Sequence, residues 1–269
     1  MANLRIVYNN VADTATIAAT TQAGGLGPSN LQTDVKSEVY RATSTSAMFT
    51  LTWTGVKNVA CVAFPFSSLS SAATMRVRLY TNVGDSVPFF DTGNKAACAG
   101  FTGTVTGVNG YAFAGGAYAS TWFASQACKQ VIINLDDATN PLGYIEAGRL
   151  VVGDYFSPTN NAAYSPMLTI MDNSKTERTD SGDLRSERGS MHKTLTFNME
   201  YMSATERNSI WNIMRGNGMY SPVYVSLLPE STDPQEEQMY QVYGKLSKAA
   251  GLSYLFVNQF VSSMDIEEV

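Results

Sequence analysis

Between Lys193 and Leu228 a strand, a capped helix and a second strand follow one another with almost no spare residues, and the rest of the chain must close around that unit. Leu195, Phe197, Met199 and Tyr201 alternate with Thr194, Thr196, Asn198 and Glu200, the period-two pattern of a strand with one face in the core. Ser203 stands three residues before Glu206, the spacing of a capping box worth about 1 kcal/mol, so a helix is expected over 204–215. Ile210, Trp211, Ile213 and Met214 fall on one face of it, and Gly216 and Gly218 supply the turn that ends it. Pro222 opens the return strand, in which Val223, Val225 and Leu227 alternate with Tyr224, Ser226 and Leu228.

At 269 residues the chain is near the size at which a single core stops growing, which favours two subdomains. Charge marks the division: 17 charged side chains fall in residues 1–153 and 24 in 154–269, placing a boundary near Gly153. Residues 1–153 read as all-β. Arg5 to Tyr8, Thr16 to Ala19, Val39 to Thr43, Met48 to Trp53, Val59 to Phe64, Thr74 to Tyr80, Val131 to Leu135 and Tyr144 to Val152 are short runs rich in β-branched and aromatic residues. Phe49, Leu51 and Trp53 alternate with threonines, and Met75, Val77 and Leu79 with Thr74, Arg76 and Arg78, as in a β-sandwich with one core between two sheets. The expected fold is mainly β: an N-terminal sandwich, then a β-rich α+β domain over 154–269 with one capped helix.

Gly93 to Ser125 is dominated by small residues with Phe101, Tyr111, Phe113, Tyr118, Trp122 and Phe123 scattered through it. It is expected to be a long loop outside the core, either a partner-binding surface or a hairpin whose aromatics pack on their own sandwich. Asp172 to His192 mixes acids with Lys175, Arg178, Arg185 and Arg188 and reads as a solvated arm, with an ion-pairing interface as the other reading. Met239 to Leu246 and Ser253 to Ile266 supply two closing strands, the last interrupted at Asn258 and Gln259.

A net charge of -5 with a pI of about 4.9 and no basic cluster argues against nucleic-acid binding. The longest apolar run, Val59 to Phe64, is far too short to cross a bilayer, and Met1 to Ile6 carries no secretory pattern, so synthesis in the cytosol or a non-Sec exit is expected. Cys61, Cys98 and Cys128 are odd in number and widely spaced, and with one histidine, His192, they form no conventional zinc site. A Ser-His-Asp hydrolase would need His192 near a nucleophile elbow, and no Gly-x-Ser-x-Gly exists. The adjacent pairs Asp136-Asp137 and Glu236-Glu237 look like turn or surface positions. Gly24-Gly25-Leu26-Gly27 lacks the context of a phosphate cradle, and Asp180-Ser181-Gly182-Asp183 is too short for a helix-loop-helix calcium loop. No catalytic residue, cofactor or metal is assigned.

Two blocks carry a resemblance. Asn30-Leu31, Asp34, Val39-Tyr40-Arg41-Ala42, Phe49 to Trp53, Ser68-Leu69-Ser70 and Ala73 to Arg78, with Tyr144 to Leu150 as back strand, resemble the galactose-binding-like (discoidin-like) jelly rolls of phage proteins, Tyr40 standing where tryptophan is usual. Phe197, Ser203 to Arg207, Pro222 to Val225 and the closing Glu267-Glu268-Val269 look like tail-tip and distal-tail components of long-tailed bacteriophages. The resemblance implies a virion structural protein, folded in the cytoplasm of the infected bacterial host. It would sit in the tail tip, baseplate or adsorption apparatus as a symmetric homo-oligomer, a ring, joined to other virion tail proteins through loops and sheet edges. The competing implication is a glycan-binding, receptor-binding module in host adsorption that touches a host surface glycan, with Tyr40, Trp122 or Phe123 as stacking platforms.

Overall fold

In a computed structural model that describes residues 2–103, 110–256 and 259–269, the chain is mainly β. The strands are β1 Arg5–Val7, β2 Thr16–Ala19, β3 Tyr40–Arg41, β4 Ser46–Ser67, β5 Thr74–Tyr80, β6 Phe90–Asp91, β7 Lys95–Ala96, β8 Ala117–Asp136, β9 Glu146–Ala147 and β10 Val151–Gly153. There follow β11 Met167–Asp172, β12 Lys175–Arg178, β13 Leu184–Glu187, β14 Met191–Met202, helix α1 Ala204–Asn217, β15 Val223–Ser226, helix α2 Pro234–Met239, β16 Gln241–Leu246, β17 Leu252–Phe256 and β18 Gln259–Glu268.

The first sheet has β3, β9, β4, β8, β5 and β6 in order, with β2 and β10 also on β4 and β7 on β5. Its backbone is one long pair, β4 with β8, in which the register slips between Thr52 and Lys57, between Val59 and Cys61 and between Phe64 and Ser67. Such bulges bend a strand. Phe49 and Leu51 from one half of β4 and Val62 and Phe64 from the other therefore line the same core, together with Val77, Ile133 and Leu150. The sheet wraps around that core as the expected β-sandwich. The two expected strands Met48 to Trp53 and Val59 to Phe64 are thus one strand, continuous through Gly55 because a bulge and not a turn separates them. Tyr144 to Val152 divides instead into β9 and β10, which pair with different stretches of β4.

The expected loop at 93–125 is corrected at its C-terminal end. Ala117 to Ser125 belongs to β8, and Tyr111, Tyr118, Trp122 and Phe123 are buried. Small residues there let two sheets approach, which gives the same composition as an adaptable loop. Residues 104–109 of that loop, like Asn258, lie outside the described residues.

The second sheet runs β1, β15, β16, β18, β14, β11, with β17 on β18. Its first strand comes from the N-terminus, so dividing the chain at residue 153 does not separate the two sheets. The capping box closes as expected, with Ser203 Oγ accepting from the Glu206 amide at 3.3 Å and Glu206 accepting from the Ser203 amide at 2.7 Å. Ile210 and Ile213 are buried, whereas Trp211, one position round the helix, is 57% exposed. A second, short helix, α2, was not expected; Asp233 caps it and Pro234 starts it. Hairpin β12–β13 is exposed along its whole length, the solvated arm.

The return strand β15 is buried on both of its faces, all four residues included. Val223 and Val225 join Val242 and Ile213 in the second core, while Tyr224 and Tyr243 point the other way into a third cluster with Phe66, Tyr118 and Trp122 of the sandwich. Tyr224 stacks on Trp122 with ring centroids 5.7 Å apart and planes within 7°. This aromatic layer joins the two sheets and fixes the cleft at its edge.

Candidate functional site

At the margin of that layer a cleft of about 520 Å³ opens between the sandwich and the second sheet, within the usual range of ligand sites. Two short 3₁₀ turns and one strand connection build its sandwich wall. Val11–Thr14, capped by Asn10, presents Asp13; Pro28–Gln32 leads to Asp34; and the link between β9 and β10 carries Arg149. Tyr243 of β16 and the end of α1 with Tyr220 form the opposite wall.

Arg149 is 3% exposed and every nitrogen is engaged. Nε donates to the Tyr243 hydroxyl at 2.8 Å, and the terminal nitrogens reach Leu31 O at 3.2 Å, Asp13 at 2.7 and 2.8 Å and Asp34 at 3.3 Å. Tyr243 in turn donates to Asp34 Oδ1 at 2.7 Å. Charge-assisted bonds of this kind hold both carboxylates in place. Burial works against the Arg149 charge, yet Tyr243 and Asp13 outweigh it, and the guanidinium titrates above its ordinary value. Asp13 goes the other way from an ordinary ion-paired acid: burial outweighs Arg149 and raises its pKa.

Above this polar floor stands Tyr220, 85% exposed. The Lys245 ammonium lies 5.5 Å from the centre of its ring. Asn9 and Asn212 stand exposed among the lining residues, and Asn217, buried, donates to Tyr8 O at 2.7 Å. The cleft thus offers a flat apolar face beside fixed hydrogen-bond acceptors, with one more carboxylate than guanidinium. This arrangement can bind polyhydroxylated rings: hydroxyls donate to the carboxylates while ring C–H groups lie on the tyrosine.

The residues singled out from the sequence lie elsewhere. Tyr40, Trp122 and Phe123 are 0%, 5% and 9% exposed and serve as core, so none is a stacking platform. Tyr40 donates to Thr21 O at 2.6 Å, and Arg41 pairs with buried Glu146, which makes that sequence block a packing motif. Asp137 is 1% exposed and clamps a turn, accepting from the Ser70 amide and hydroxyl and from Asn140, while Asp136, at the end of β8, is exposed. Glu236 and Glu237 belong to α2, where Glu237 accepts from the Glu230 amide. His192 faces Glu267 at 3.1 Å on the second sheet. Asp180 to Asp183 form the tip of the exposed arm, and Gly24 to Gly27 a surface turn. The three cysteines are buried and free, burial pushing Cys98 up to about 12 and Cys128 to about 11. Among the described residues no three His, Cys, Asp or Glu side chains gather as metal ligands.

No protein-family model matches the chain, and no curated protein matches it. Solved structures resemble it over about half its length. A Streptococcus pneumoniae fucose binding module is 11% identical, the match covering 54% of this chain and 94% of that one at a TM-score of 0.37. Chitosan-binding module 1, derived from a Paenibacillus sp. IK-5 chitosanase/glucanase, is 13% identical over 54% and 99% at 0.38. A Ruminococcus gnavus GH29 fucosidase in complex with fucose is 12% identical at 0.41, and the match covers 55% of this chain but only 27% of that enzyme. Scores and identities this low leave the ligand to be argued from the chain's own residues. None of these three is a virion component, and the expectation of a bacteriophage tail-tip or baseplate part assembling with tail proteins is corrected on that finding. What stands is a likeness of fold, a β-sandwich of the kind seen in those modules.

Proposed function

We propose that the chain is a glycan-binding module, and that its sugar sits in the cleft between the sandwich and the second sheet. The observation that carries this is the pairing of an open tyrosine face, Tyr220, with two carboxylates, Asp13 and Asp34, locked by a buried Arg149. Locked acceptors lose little freedom on binding, so weak hydrogen bonds to hydroxyls add to affinity instead of being spent on ordering. The protein is read as a binder and not an enzyme.

A glycan array followed by calorimetry on the best neutral oligosaccharide tests the proposal. Tyr220→Ala and Asp34→Asn should each weaken binding about tenfold or more, equivalent to about 1.4 kcal/mol. An array without a hit, or a hit whose affinity neither substitution changes, contradicts it.

A further inference from the structure

A second groove, of about 990 Å³, opens on the second sheet beside the end of β14 and shares no lining residue with the first cleft. Tyr164 stands in it with its side chain wholly in solvent, at 102% exposure. Tyr201 is half exposed and adopts φ 57°, at the bulge where the pairing of β14 with β18 slips between Met199 and Met202. Ser165, next to Tyr164, has φ 72°. Left-handed backbone at residues other than glycine is costly and concentrates at ligand sites. Here it turns one tyrosine out of the sheet, and Asn160 Nδ2 supports the turn by donating to Tyr201 O at 3.2 Å. Glu200 and Glu236 line the groove half-buried, while among the described residues no lysine or arginine lines it.

We infer that this groove is a second carbohydrate site, taking a neutral oligosaccharide and rejecting anionic ones, an inference that rests on the glycan-binding reading of the first cleft. The tyrosines offer faces for sugar rings, the glutamates and Asn160 offer acceptors for hydroxyls, and the groove is large enough for several rings. Its uncompensated carboxylates repel a uronate chain, which gives selectivity through an unfavourable contact. A chain long enough to reach both sites gains affinity through effective concentration, with no further contact needed.

Calorimetry of the full chain with neutral hexasaccharides of glucose, galactose, mannose and N-acetylglucosamine, and with a hexauronate, tests this. With the best neutral sugar the wild type should show two sites, Tyr164→Ala should retain only the one that Tyr220→Ala removes, and Tyr220→Ala should retain only the one that Tyr164→Ala removes. Glu200→Gln should make binding of the hexauronate detectable where the wild type shows none. A single wild-type site, lost in Tyr220→Ala and untouched in Tyr164→Ala, overturns the second site alone. Binding of no sugar at all overturns both, and hexauronate binding by the wild type at the Tyr164 site overturns the claimed selectivity.

Discussion

Replacing Arg149 with methionine removes one guanidinium from four partners, Asp13, Asp34, Leu31 O and the Tyr243 hydroxyl, of which Leu31 O keeps the Leu150 amide and the hydroxyl keeps Asp34. Loss of a buried hydrogen-bond partner costs about 1–3 kcal/mol, and because both aspartates are partly exposed the lower half of that range is expected for Arg149→Met in chemical denaturation. The raised pKa of Asp13 carries a binding prediction. Its carboxylate takes up a proton while the pH is still above 3.8, so sugar affinity should begin to fall on acidification before an ordinary aspartate titrates. Its effect on folding has the opposite sense: the proton is held more tightly by the fold, so the stability it contributes is full below 3.8 and lost as pH rises through the raised value. Asp91 is the contrary case, held at about 2 by its hydrogen bond from Arg76. Its contribution is present above 3.8 and lost as pH falls towards 2, and NMR titration of its carboxyl should give a midpoint near that value. Little of the cleft was legible from residue types: Asp34 and Arg149 stand in the blocks that carried the resemblance but were not marked as a site, and Asp13 and Tyr220 carry no spacing motif. Trp122 misled for a related reason: an aromatic among small residues looks the same whether it faces solvent or a second sheet.

At the scale of elements, local patterns were reliable where one neighbour decides the outcome. The Ser203 cap is such a case, and Ser203→Ala should lower stability by about 1 kcal/mol, read from the denaturation midpoint. Gly244 shows what alternation hides. It lies in β16 between β15 and β18, where an added Cβ would fall 2.2 Å from Glu267 O, so Gly244→Ala should destabilise the second sheet by about 1–3 kcal/mol. Strand β15 was placed correctly, but the burial of both its faces was not legible, because period two reports a strand and not what covers each side. The fusion of two expected strands into β4 has the same origin: a bulge leaves no turn residues and no polar break to mark it.

For the whole molecule, the mainly β class and the sandwich followed from composition and alternation, while the joining of the sheets depended on contacts far apart in sequence. Strand β1 pairs with β15 within the second sheet across more than two hundred residues, and Tyr118 of the sandwich donates to Glu268 of that sheet at 2.6 Å. The aromatic layer of Tyr118, Trp122, Tyr224 and Tyr243 is therefore expected to make the two sheets unfold together, as one calorimetric transition. The cleft lies at the margin of that layer, where Arg149 and Tyr243 meet. The most direct measurement is a crystal structure of the full chain with the best neutral oligosaccharide bound. A sugar ring lying on the open face of Tyr220 with hydroxyls on Asp13 and Asp34 is the predicted result; a sugar held at the sandwich loops, with the Tyr220 cleft empty, would contradict it.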